Sequence, residues 1–332
     1  MIEAHSTNSF LAPYYRTPDG WFSTVSYING MVAPIFLFLA GLLQGAWIRK
    51  NWDLKKPIVP KLRSLGIILL LGYALQFPWD ALVHWQAGSA AAILVALGKV
   101  DILHCIAVTL ASCLLLSRLC KSRVTYDVVI TGIATAIVLL APFVWNRTEN
   151  LTTTNPLLGY ISSSNGALFP LIPWSAFLLA GTLASRWLDQ PVVFLTLSIV
   201  TCVTGWILRF ALVNWFQLQT YATRYDFYFF RLSIVFLCCG VIAFYFGRNQ
   251  AGSVARAVNW CGSHSLGLYV WHLVILHSGL GFVAPLMDYF SRTQTPVTVV
   301  WLYLLTLIGA MVLTKIWNAL KARIFAPGVN RI

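Results

Sequence analysis

A few side chains able to move a proton or hold a charge sit inside the long apolar stretches of this chain. They are His5, Asp101, His104, Arg209, Arg231 and His272, with Trp174, Asp226 and His277 near them in the pattern. Ionisable groups are costly in an apolar phase, so each is a functional candidate by default. Asp101 and His104 are i,i+3 neighbours, which puts both on one side of a helix. Imidazole is the side chain best matched to general acid–base work near neutral pH. A carboxylate can orient an imidazole, and guanidinium or indole N–H groups can stabilise a developing oxyanion. The set suits proton transfer coupled to nucleophilic attack. No metal is expected: the histidines are dispersed and there is no HExxH. A GxSxG elbow and a GxxxxGK[ST] phosphate loop are also missing. The seven cysteines lie in or beside apolar stretches and read as small buried residues.

The elements that must hold these groups follow from composition. The chain has 332 residues, 58% of them hydrophobic and only 10% charged. Soluble domains carry about 25% charged residues. Apolar stretches recur at 26–48, 64–84, 100–118, 126–145, 168–186, 192–216, 227–247, 262–281 and 296–318, near the ~20 residues that a membrane helix needs. The reading is an all-α integral membrane protein, a polytopic bundle of nine full transmembrane helices in one domain, 1–332. Residues 1–5 read as the outer end of a truncated first helix, and 319–332 as a short cytoplasmic tail. Glu3 and His5 follow Met1 at once, with no basic region before an apolar run, so no cleavable signal peptide is expected. Pro170 and Pro173 break the fifth stretch at its start.

A net charge of +13 might suggest nucleic acid, but the Lys and Arg sit in short loops between apolar spans. Those after the odd-numbered spans include Arg49, Lys50, Lys55, Lys56, Lys61, Arg63, Arg118, Lys121, Arg123, Arg186, Arg248, Arg256, Lys315, Lys321, Arg323 and Arg331. Only Arg16, Lys99, Arg147, Arg224 and Arg292 fall in the other loops. Positive residues stay cytoplasmic, so the C-terminus is expected inside and the loop after His5 outside, in a cell membrane. On that topology His5, Asp101, His104, Trp174, Arg209, Asp226 and Arg231 share the outer leaflet, with His272 at mid-span. Blander roles compete. Asp101 with His104, Lys99 or an arginine serves equally as a structural ion pair. Arg231 serves equally to neutralise Asp226 or Glu3. His277 and His84 read as interface residues, and the basic cluster from Arg49 to Arg63 as anionic-lipid contact.

Several motifs together give a family likeness. MIEAHS followed by VAPIFLFLAGLLQG, then KVDILHCIAVTLASCLLL, FPLIPWSAFLLAGTLAS, YDFYFFRLSIVFL and GSHSLGLYVWHLVILHSGLG, occur in order over most of the chain. In this the chain resembles the multi-pass membrane acyltransferases related to heparan-alpha-glucosaminide N-acetyltransferase. The resemblance implies a bundle of ten or eleven helices and acetyl-CoA as a cytoplasmic co-substrate. It also implies a sugar or glycan acceptor, through a hydroxyl or an amine, on the outer or lumenal side. It makes His5 the general base and places Asp101, His104, Arg231 and His272 near the site.

The expected chemistry is acyl transfer from a thioester. Neutral His5 takes a proton from the acceptor as it attacks the acetyl carbonyl. Arg209 and Trp174 contact the acyl donor, and Arg209, Arg231 or Trp174 supply N–H groups to the oxyanion. Asp101 orients an imidazole such as His104. Two other classes fit the same residues: a transporter or flippase for a lipid-linked glycan or small metabolite, and an inactive truncated family member. The acceptor, the oligomeric state and the choice between direct transfer and an acetyl-histidine stay open.

Overall fold

The computed structural model describes residues 1–54, 56–79, 84–86, 88–148, 151, 153–216, 223–246, 252–278 and 284–324. Lys55, Arg248, Arg331, the far end of the second apolar stretch at 80–83, the ends of the seventh and eighth stretches, and the tail from 325 lie outside them. In chain order the helices are α1 Ile2–Phe10, α2 Trp21–Asn29, α3 Val32–Lys50, α4 Val59–Gln76, α5 Ser89–Leu97, α6 Ile102–Leu119, α7 Arg123–Thr148 and α8 Leu158–Ile161. They continue with α9 Leu171–Ala184, α10 Pro191–Phe216, α11 Tyr225–Phe246, α12 Ser253–Ser263, α13 Ser265–Leu273, α14 Leu286–Phe290 and α15 Pro296–Ile324. The only extended pairing among the described residues is an isolated bridge, Leu11 to Gln294. The protein is all-helical.

Six segments among the described residues are long and apolar enough to cross a membrane: Trp21–Lys50, Ile102–Leu119, Arg123–Thr148, Pro191–Ala211, Tyr225–Tyr245 and Pro296–Arg323. Three of the nine expected spans are not in that set, for separate reasons. α4 carries Lys61 and Arg63 within its first five residues. α9 has 14 residues, and at ~1.5 Å per residue it covers about 21 Å of a hydrocarbon core about 30 Å thick. Its start is irregular, since Ile172 has non-helical angles before Pro173. The eighth stretch is a short apolar helix, Ser265–Ser278.

The chain divides into two compact units, Ala33–Arg248 and Met1–Val32 with Asn249–Ile332. In the first, α3 and α9 cross backbone to backbone at paired glycines. A Cβ on Gly41 would lie 1.9 Å from the Leu178 carbonyl oxygen, and one on Gly181 would lie 2.0 Å from that of Phe38. Small residues at a crossing let membrane helices approach this closely. Phe38, Phe177, Leu178, Phe194, Val235 and Phe236 form the surrounding core. α10 lies along α11, tied by the Ser233 hydroxyl donating to the Ser198 carbonyl at 2.9 Å.

In the second unit α1 packs on α15, and Phe10, Leu11, Leu276, Val299 and Leu302 make the core. The end of α1 is held from two sides. The Gln294 amide donates to the Phe10 carbonyl at 3.0 Å, and the Ala12 amide donates to the Gln294 carbonyl at 3.0 Å. Arg16 folds back and donates to the carbonyls of Thr7, Asn8 and Leu11 at 2.8–3.2 Å. A guanidinium on the last carbonyls satisfies acceptors that the helix leaves open and complements its dipole. α1 is short, and these contacts fix where its one histidine points.

Candidate active site

The unit that contains α1 holds four of the chain's six histidines, and three of them gather at one place. The His5 ring centre is 5.1 Å from that of His272 and 6.4 Å from that of His277. His5 is half-buried, His272 fully buried and His277 exposed. An α-helix turns about 100° per residue, which would set side chains five apart roughly 140° from each other. The turn Val274–Ser278 is a π-helix instead. Its wider i→i+5 closure rotates His277 back toward the side occupied by His272. The His272 Nδ1 lies 3.0 Å from the Leu268 carbonyl oxygen. A carbonyl only accepts, so Nδ1 carries the proton and Nε2 keeps the lone pair. That Nε2 is buried with no hydrogen-bond partner among the described residues. The Tyr269 ring stands edge-on at 5.3 Å. Glu3, two residues before His5, accepts from the Thr7 hydroxyl at 2.8 Å and from the Asn29 amide at 3.4 Å.

Residues 1–315 match the family model described as "Acyltransferase domain". The chain belongs to this acyltransferase family. Neither the search of curated proteins nor the search of solved structures returns a match. The protein is therefore an enzyme that transfers acyl groups, built as a multi-pass membrane protein.

In this acyltransferase Asp101 and His104 come together, but as a helix cap. The Asp101 carboxylate accepts from the Ile102 amide at 2.7 Å and from the third backbone N–H of α6, while the Asp101 amide donates to His104 Nδ1 at 3.1 Å. This is the reciprocal capping box, with histidine in the place of the usual Glu or Gln. Because an amide donates to Nδ1, that nitrogen has no proton, and neutral His104 presents N–H at Nε2. A carboxylate–imidazole relay would need Nδ1–H aimed at the carboxylate. The expected relay is not what the geometry builds. The His104 ring is fully buried, edge-on to Tyr73 at 4.4 Å, and closed in by the Gly72 backbone, where a Cβ would fall 2.9 Å from it. The Tyr73 and Tyr160 hydroxyls bond at 2.6 Å beside it.

Trp174 and Arg231 meet through Phe227, with ring centres 6.2 Å apart for Trp174 and the Arg231 guanidinium 4.3 Å from the ring. Both the indole Nε1 and the Arg231 residue are buried, and the indole N–H has no hydrogen-bond partner among the described residues. Asp226 is held bidentately by Arg224 at 2.8 and 3.0 Å, and Glu3 by Thr7 and Asn29. Arg209 stands on the exposed face of α10 against Trp206, 6.0 Å from its ring.

Sequence reasoning passed over two groups. His277 read as an interface residue from its place near the end of the eighth stretch, three residues before Leu280. Asp127 went unremarked at the start of the fourth span. Its carboxylate takes Arg49 at 2.6 Å and Arg186 at 3.1 Å, and Arg49 also donates to Ser185 at 2.9 Å. Arg49 is 78 residues from Asp127 and 136 from Ser185 in sequence, so only the fold joins them. A surplus of basic residues around one carboxylate was the available signal. No group of three or more His, Cys, Asp or Glu able to hold a metal ion occurs among the described residues.

Proposed function

We propose that this acyltransferase moves an acetyl group from acetyl-CoA to a hydroxyl or amine of a sugar or glycan, with His5 as the general base. The observation that carries the reading is the imidazole cluster around His5. It is the one place among the described residues where histidines gather and a buried imidazole lone pair is left over. As the acceptor oxygen or nitrogen attacks the carbonyl carbon, its proton passes to His5. The C–S bond then breaks, and the proton held on His5 goes to the departing thiolate. The oxyanion formed between these steps needs N–H donors. Arg209 is left to its exposed face, and Asp101 with His104 to capping α6.

The topology belongs to the same proposal. Nine spans and the skew of basic loops place the C-terminus in the cytoplasm and the acceptor on the far side of a cell membrane. The CoA phosphates then meet the basic residues Lys50, Lys61 and Arg63, and the likeness to heparan-alpha-glucosaminide N-acetyltransferase supplies the donor and the acceptor class. The test uses purified full-length protein in lipid nanodiscs, with labelled acetyl-CoA as donor and glucosamine as probe acceptor. CoA thiol release together with label on the sugar is the expected result. Thiol release without labelled sugar would remove the acceptor class. No thiol release from acetyl-CoA, with release from a longer acyl-CoA, would remove acetyl as the group transferred.

A further inference from the structure

The base needs one ring nitrogen with its lone pair facing the acceptor, which requires the other nitrogen to be held as N–H. Next to His5 lies His272, a group suited to hold it. His272 has its Nδ1 proton committed to the Leu268 carbonyl, within its own helix. Its Nε2 is therefore an acceptor, and that atom is buried without a partner among the described residues. An unmet buried acceptor is destabilising, so such an atom is retained where it has work to do. An N–H···N bond of about 3 Å between two imidazoles puts their ring centres about 5 Å apart. His5 and His272 are 5.1 Å apart. His5 is half-buried, and at this separation a turn about its side-chain torsions can set its N–H toward Nε2. His272 itself is fully enclosed and pinned to its helix, which makes it the fixed partner of the two.

We propose that His272 is the positioning residue of the base: its Nε2 accepts the ring N–H of His5 and fixes which His5 nitrogen faces the acceptor. His272 touches neither substrate nor the reacting carbonyl in this role. The proposal rests on His5 being the base, and its test separates the two. A misplaced catalytic group loses on the order of 100-fold in rate. His272→Leu fills the same space without an acceptor, and is expected to lower kcat for CoA thiol release roughly 10- to 100-fold with the KM for acetyl-CoA unchanged. His272→Gln carries a side-chain oxygen able to accept the same bond, and is expected to recover most of the lost kcat. Thermal unfolding of both variants is followed in the same nanodiscs. An inactive His5→Ala protein, a kcat defect in His272→Leu and rescue by Gln support the proposal. If His5→Ala is inactive but His272→Leu turns over like wild type, or Gln does no better than Leu, positioning by His272 is wrong and the base reading stands. If His5→Ala keeps wild-type turnover, the base reading itself is wrong.

Discussion

His104 and His272 are both fully buried imidazoles on apolar helices, and each uses Nδ1 in a bond to backbone. They end in opposite states because the partners differ. His104 receives an amide proton from Asp101 and is left with a donor at Nε2. His272 gives its own proton to the Leu268 carbonyl and is left with a lone pair. One backbone bond thus decides which of the two can assist a base. The same contrast runs through the two units. In Ala33–Arg248 the buried carboxylates are each held: Asp127 by two arginines, Asp226 by Arg224, Asp101 by the start of α6. In the unit holding α1, by contrast, two further imidazoles lie within 6.4 Å of His5, and one of them, His272, keeps a buried lone pair.

If that contrast is right, substitutions in the first unit change stability and those around His5 change rate. The largest effect on stability is expected from Asp127→Ala, which leaves Arg49 without its buried carboxylate. Breaking such a pair costs about 3–5 kcal/mol, read as a lower unfolding temperature of the purified protein, with thiol release per folded molecule maintained. Asp101→Ala removes the cap on α6 and should cost about 0.5–2 kcal/mol, again without loss of turnover per folded molecule. A fall in kcat there without loss of stability would return Asp101 to the chemistry and erase the distinction. Arg209→Gln, on an exposed face, should stay within about 0.5 kcal/mol of wild type in stability and leave thiol release unaltered. A clear loss of rate would show that this face meets a substrate.

Much of the fold was legible because an apolar run of membrane length has few alternatives to a helix. The break at Pro170–Pro173 also reads directly, and the chain turns irregular at Ile172. Length was less legible. The fifth stretch is set at 168–186, yet α9 stops at Ala184 and passes into a tighter turn, Ser185–Trp187, whose Arg186 bonds to Asp127. The site was half legible. Residue type and the i,i+3 spacing rightly joined Asp101 to His104, but a spacing cannot say whether Nδ1 donates or accepts. His277 reads from the sequence only as an interface residue, since a π-turn leaves no periodic mark that would bring it beside His5. Asp127 needed partners that are remote in the chain.

The measurement that bears most directly on the account is the turnover of acetyl-CoA by His5→Ala and His104→Ala proteins beside wild type, each normalised to the folded fraction in nanodiscs. The account predicts that His5→Ala loses at least about 100-fold in kcat with its unfolding temperature unchanged, whereas His104→Ala unfolds at lower temperature and keeps its turnover per folded molecule. Wild-type turnover in His5→Ala, or a rate loss confined to His104→Ala, would contradict it.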